Sequence, residues 1–204
     1  MDPRFQELLL LYAQDDTKTA QEQIEKTLWN EFGTQGAVLV MDMSGFSRLT
    51  QKYGIVHYLS MVLRMQLTSQ PVIESLGGRV VKFEADNCFA MFQTVLPAVE
   101  AAVRLNIAFD SINRFTEEAF DIRVAIGIDY GGILLTGGPD YFGEVVNVAS
   151  KLGEDVAGPG EILLTERAFQ QLPPKTGYTG KPITPLLSGM RIKAYSLDYS
   201  LQTR

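Results

Sequence analysis

Ala37-Val38-Leu39-Val40-Met41 is an uninterrupted apolar run that ends on a carboxylate, Asp42, and then enters Met43-Ser44-Gly45-Phe46-Ser47. A continuous apolar run of strand length predicts a strand buried on both faces. The glycine-containing turn after it predicts a switch into a helix whose first amides can face an anion.

Helical spacing continues from Ser47 to Leu76, with Pro71 expected to kink or restart it, and Gly77-Gly78 closes the stretch. Arg79–Ala85 and Cys88–Phe92 predict two short strands around an Asp86-Asn87 turn. Pro97 opens a helix with Ala101, Ala102, Leu105, Phe109 and Ile112 on one face. Ile122–Tyr130 and Ile133–Thr136 predict a second hairpin around Gly131-Gly132. Gly143–Glu154 predicts a short helix and Ile162–Thr165 a strand. Pro173–Pro185 predicts a loop, and Met190–Leu197 a last strand. The order is β-α-β-β-α-β followed by β-α-β-β. That is an α/β (α+β) fold with a ferredoxin-like, palm-type core and a C-terminal extension.

Upstream, Phe5, Leu8, Leu9 and Tyr12 recur at helical spacing. So do Ile24, Leu28 and Phe32 after an Asp15-Asp16-Thr17 cap, with Gly33 as the stop. Residues 1–34 are therefore expected to form a helical N-terminal segment, either docked on the parent domain or serving as a dimerising or signal-relaying stem. Residues 35–204 are expected to form the main domain.

The 204 residues carry a formal net charge of −6, which disfavours nucleic acid and anionic membranes as partners. One Cys and one His rule out an internal disulfide and a Cys/His zinc site. The apolar runs fall far short of the roughly 20 residues a membrane span needs, and no basic leader precedes them. The expectation is a soluble, cytoplasmic domain. There is no phosphate-loop motif, and Gly158-Pro159-Gly160 lacks the third glycine and the helix of a dinucleotide fingerprint. His57 reads as a surface or packed residue, and Cys88 as a small buried hydrophobe.

Chemistry concentrates elsewhere. Asp42 at a strand tip is by itself either a helix cap or a metal ligand. In this topology the hairpin bearing Asp86 can lie beside it, about 4.8 Å away. Two carboxylates 4 Å apart repel by roughly 4 kcal/mol at an effective dielectric of 20, so either one is protonated or a cation lies between them. All-oxygen ligation favours Mg²⁺ or Mn²⁺. Lys82, Glu84 and Asp86 share strand parity, and Lys82 with Glu84 could simply form a surface ion pair. Asn147 and Lys151, i and i+4 on a short helix, project opposite Val145, Val148, Ala149 and Leu152. They place an amide beside an ammonium, which suits a developing phosphoryl charge or an ordinary solvated face.

Five segments in order resemble the class III nucleotide cyclase family of adenylyl and guanylyl cyclases. They are Val40–Ser47, Gly77–Asp86, Arg123–Gly131, Asp140–Leu152 and Ala157–Ile162. The resemblance covers about Gly36 to Leu172 and extends weakly to Leu197. It implies that Asp42 and Asp86, helped by the Met43 carbonyl, hold two Mg²⁺ or Mn²⁺ ions per site. It further implies that the Ser44-Gly45-Phe46-Ser47 turn cradles phosphates, that Lys82 and Asp140 read the purine, that Asn147 positions the ribose, and that Lys151 meets the transition state. A Lys/Asp pair is the adenine-type choice: Lys donates to N1, and Asp accepts from the N6 amine. The implied reaction converts ATP, or another NTP, to the 3′,5′-cyclic nucleotide and pyrophosphate. Its sites would be shared across a homodimer and could be governed by an upstream regulator. The alternatives are a catalytically weak or inactive nucleotide-binding regulatory module, or a cyclase using GTP or a pyrimidine nucleotide.

Three departures from the family pattern stand out. Lys151 occupies a position usually held by Arg, keeping the charge and losing the bidentate fork. Ser188, before Gly189, stands where a triphosphate-binding lysine is usual, and Arg191 or Lys193 is a candidate replacement. Ala85 replaces a common glycine in the hairpin, a mild change provided that the backbone there does not need positive φ.

Overall fold

The computed structural model describes residues 1–138 and 140–199, and at residues 46–48 the backbone alone. Strand β1 (Gly33–Met43) is fully buried from Ala37 to Met41, as an apolar run flanked on both faces requires. It pairs antiparallel with β3 (Asn87–Phe92) on one side and with β4 (Val124–Leu135) on the other. With β2 (Arg79–Glu84) outside β3, the first four strands run β2-β3-β1-β4, the split order expected of the ferredoxin-like core. The sheet continues through β6 (Ile162–Thr165), parallel to β4, then β10 (Ala194–Asp198) and the edge strand β7 (Thr179–Ile183). A short β5 (Tyr141–Phe142) folds back onto the end of β4.

Helices α3 (Phe46–Tyr53), α4 (Ile55–Ser75) and α5 (Val95–Asn113) belong to the βαββαβ unit. Met65, Ile73, Leu105 and Phe109 of α4 and α5 pack with Leu39, Met41 and Phe92 in the main core. On the opposite face α6 (Glu144–Lys151) lays Val145 and Ala149 against Val38, Val40 and Ile133.

Four local expectations are corrected. The chain does not turn at Gly131-Gly132. Strand β4 runs straight through, because β1 extends back to Gly33 and pairs Gly36 with Gly131 and Gln35 with Gly132. The two glycines serve close packing: a Cβ on Gly131 would stand 2.7 Å from Val145 Cγ1, and one on Gly132 would stand 3.1 Å from the Trp29 ring. Gly33 is not a left-handed stop (φ −80°), and the chain passes directly from helix to strand there. The helical stretch after β1 breaks at Gly54 (φ 85°), whereas Pro71 lies inside α4. The carbonyl that Pro71 leaves unbonded belongs to Leu67, on an exposed turn where water can serve it. The loop expected at Pro173–Pro185 contains β7. That strand tolerates Pro182 as a sheet edge can, and it is recruited by a remote partner, β10.

Two boundaries also move. The first hairpin turns on Ala85-Asp86, one residue earlier than expected. The stretch Met190–Leu197 divides into β9 (Met190–Arg191), which forms a small hairpin with β8 (Leu186–Leu187), and then β10.

At the N-terminus α1 (Pro3–Gln14) is capped by Asp2, whose carboxylate accepts from the Arg4 and Phe5 amides. Helix α2 (Lys18–Phe32) lies against it, and Phe5, Leu8 and Leu28 bury themselves with Leu134 at the end of β4. The helical pair is therefore docked on the sheet. No helix among the described residues is long and apolar enough to cross a membrane.

Candidate active site

The carboxylates meet at one end of the sheet. Asp42 is opposite Asn87 in the β1–β3 ladder, and the Met43 amide donates to the Asp86 carbonyl at 3.2 Å. Asp42 is half-buried. Burial first, then the charges of Asp86 and Glu154, push its carboxyl up to about 7, against the pull of the Met43 amide. Burial likewise raises Asp86. Glu154 is raised by burial and by Asp155, Asp86 and Glu84, and Lys151 opposes the shift. It sits in the wide helical turn Leu152–Val156 that follows α6. The sequence reading did not single Glu154 out, and its place three residues after Lys151 was the only available signal.

Among the described residues no three His, Cys, Asp or Glu side chains close into a ready-made metal cage. A half-buried carboxylate pair that resists double ionisation suits a hard cation that takes one or two carboxylates and completes its shell with substrate phosphates and water, as Mg²⁺ does. The residues present therefore fit such an ion.

The turn after Asp42 is less open to phosphate than expected. The Ser44 amide already donates to the Arg123 carbonyl at 2.8 Å, which leaves Gly45 (φ 79°) and the start of α3 to supply donors. The side chains of Phe46 and Ser47 lie outside the described residues. Ala85 has φ 52°, so its backbone does need the left-handed region and the substitution for glycine is not mild.

Lys82 and Asp140 come together from β2 and from the connection between β4 and β5. Lys82 Nζ lies 3.4 Å from Asp140 Oδ1, 2.9 Å from Glu84 Oε2 and 5.0 Å from the Phe89 ring centroid. Glu84 first, with Asp140, raises the Lys82 pKa against the opposing effect of burial. The Lys82–Glu84 ion pair and the Lys82–Asp140 pair thus coexist. Asp86 does not share their strand, because it belongs to the turn.

Asn147 and Lys151 project together from α6, with Val145, Val148 and Ala149 buried behind them. They line a cavity of about 440 Å³ with Glu154, Asp155, Ser188 and Met190, and neither Asp42 nor Asp86 is part of its wall. Arg191 and Lys193 line a neighbouring cavity instead, beside Arg167. Ser188 (φ 48°) is the first residue of the two-residue β8–β9 turn. The sequence reading also passed over Asp129, a fully buried carboxylate on β4 that accepts from Thr165 Oγ1 and, bidentately, from Arg167.

The model of the adenylate and guanylate cyclase catalytic domain matches residues 33–197. An uncharacterised protein of Mycobacterium tuberculosis is 30% identical over 143 residues, covering 70% of this chain and 36% of the relative. An adenylate cyclase of Streptomyces coelicolor is 27% identical over 135 residues, covering 66% and 33%. The matched segment spans about a fifth to a third of the length of the curated relatives. Among solved structures, an adenylate/guanylate cyclase/hydrolase from Silicibacter pomeroyi superposes with a TM-score of 0.68 at 26% identity, covering 82% of this chain and 98% of that one. On the fold, the strand order and the length of the family match, this chain belongs to the class III adenylate and guanylate cyclase catalytic domains.

Proposed function

We propose that this domain converts ATP to 3′,5′-cyclic AMP and pyrophosphate in a cytoplasmic homodimer that shares its sites between protomers. The observation that carries the reading is the Lys82–Asp140 pair, which sets a donor and an acceptor 3.4 Å apart, with the Lys82 ammonium over the Phe89 ring. Adenine presents the matching N1 acceptor and N6 donor edge, whereas guanine presents a carbonyl and a donor. Asn147 would orient the ribose. The ribose 3′ oxygen forms a bond to the α-phosphorus as the bond from that phosphorus to the β-phosphate bridging oxygen breaks. The 3′ proton passes to solvent, and pyrophosphate leaves in line. Lys151 is placed to offset charge on the reacting phosphoryl group. Asp42, Asp86 and the Met43 carbonyl would hold Mg²⁺ or Mn²⁺, which when bound lowers the pKa of the attacking hydroxyl and offsets the triphosphate charge. Neither Asp42 nor Asp86 lines the Asn147/Lys151 cavity, and Glu154, which does, feels both Asp86 and Lys151, so the two groups face one acidic region that a second copy would complete.

A weaker reading, nucleotide binding with little turnover, also has an observation behind it. The Asn147/Lys151 cavity sets two carboxylates, Glu154 and Asp155, against one ammonium, with a third, Glu144, paired to Arg167, while Arg191 and Lys193 line the adjoining cavity. Incubating the purified chain with Mn²⁺ and each NTP, with mass-spectrometric detection of products, separates the two. Cyclic AMP in excess over other cyclic nucleotides is expected. Nucleotide binding with no cyclic product from any NTP would leave only the second reading.

A further inference from the structure

Resting on the assignment of Asp140 to the purine, we propose that Thr136 is a positioning residue for Asp140, and that the N-terminal helical pair, through Asp2, holds Thr136 in place. The base-reading aspartate then depends on a segment that lies outside the matched cyclase region.

The contacts form an unbroken series. The Asp2 amide donates to the Thr136 carbonyl at 2.6 Å. The Thr136 hydroxyl donates to the Asp140 carbonyl at 3.0 Å, and its amide points to the same oxygen at 3.5 Å. Asp140 Oδ1 in turn accepts from the Tyr141 amide at 3.1 Å and lies 3.4 Å from Lys82 Nζ. Thr136 is 2% exposed, so its hydroxyl has no water to fall back on. Gly137, next along, has φ 69°, and a Cβ there would stand 2.9 Å from Asp2 Cβ. Residue 2 therefore packs directly on the turn that carries Asp140. The helical pair is anchored nearby by Phe5, Leu8 and Leu28 on Leu134 and by Trp29 over Gly132. The segment thus acts as a second wall for the β4–β5 turn.

A carboxylate that discriminates N6–H from a carbonyl oxygen does so only in a fixed place, and loss of one hydrogen bond worth 0.5–1.5 kcal/mol corresponds to about two- to tenfold. Asp2 has φ −59° and ψ 135°, which proline adopts readily. Asp2→Pro therefore removes the donor to Thr136 together with the helix cap, whereas Asp2→Ala removes the cap alone. Thr136→Val removes the hydroxyl, and Thr136→Ser restores it. The full chain is titrated calorimetrically with 3′-deoxy-ATP and 3′-deoxy-GTP, which cannot cyclise, in the presence of Mn²⁺, and kcat and KM are measured with ATP and GTP. Thr136→Val and Asp2→Pro are expected to narrow the ATP-to-GTP preference by about two- to tenfold, through Kd and KM with little change in kcat. Thr136→Ser and Asp2→Ala are expected to keep it. Unchanged preference in Thr136→Val and Asp2→Pro, alongside altered preference in Asp140→Ala, overturns the positioning role and leaves the purine assignment standing. Unchanged preference in Asp140→Ala overturns the purine assignment and the positioning role with it. If Thr136→Val does not fold, the comparison of Asp2→Pro with Asp2→Ala decides the question.

Discussion

The Met43 amide is bonded to the Asp86 carbonyl, so the tip of β1 and the turn before β3 are fastened together directly beneath two carboxylates. The backbone holds Asp42 and Asp86 near one another whether or not a counter-charge is present. Burial first, and then the charges of Asp86 and Glu154, raise the pKa of Asp42.

The raised pKa of Asp42 predicts a pH dependence. Asp42 binds its proton more tightly folded than unfolded, so its contribution is fully present below the ordinary carboxylate range and is lost as pH rises through about 7. In metal-free buffer at pH 8, Asp42→Asn should raise Tm by about 2–4 °C, and at pH 5 the difference should be smaller, vanishing only below the ordinary carboxylate range. Mn²⁺ should raise the Tm of the natural chain and not that of the variant. Thermal scans at both pH values, with chelator and with Mn²⁺, check this.

Ala85 occupies a left-handed conformation, at φ 52°, in the turn that carries Asp86. Ala85→Gly should stabilise the protein by about 1 kcal/mol, seen as a higher urea midpoint with an unchanged m value.

Arg167 is the charged partner of Asp129, which is wholly buried. Arg167→Ala leaves that carboxylate without its counter-charge and should cost about 3–5 kcal/mol in urea unfolding. Adding Asp129→Asn should recover part of the loss. Additive losses in the double variant would mean that the pair is not coupled.

Lys151 carries the charge of the usual arginine without its planar, bidentate fork. Lys151→Arg should keep kcat or raise it, and Lys151→Ala should lower kcat by about a hundredfold or more. A large loss in Lys151→Arg would place the transition-state contact elsewhere.

Shared sites predict complementation. Asp42→Ala and Asn147→Ala should each be inactive alone. Mixed protomers should recover activity through one intact site per heterodimer. Cyclic AMP formation by the mixture, compared with each variant at equal total concentration and with dimers verified by sedimentation, tests this.

Much of the fold was legible because burial writes itself into local pattern. The apolar run ending at Asp42, the i, i+4 placement of Asn147 and Lys151, and the split order of the first four strands all follow from periodicity and turn residues. Gly131-Gly132 misled because two glycines in sequence signal a turn, whereas here they admit Val145 and Trp29 against a continuous strand. β7 was hidden because its proline and glycine argue for a loop, and only β10 makes it a strand.

By itself the sequence determined the strand and helix alternation, the two aspartates at strand ends and the excluded chemistries, since each depends on residue type and short-range spacing. Only the tertiary structure decided that Lys82 meets Asp140, that Glu154 acts on the acidic pair, that Arg191 and Lys193 line a cavity beside the one Lys151 lines, and that Asp2 rests on the turn bearing Asp140. These are contacts between segments remote in the chain. They depend on strand pairing, bulges and the docking of whole elements, none of which leaves a periodic trace in the residues themselves.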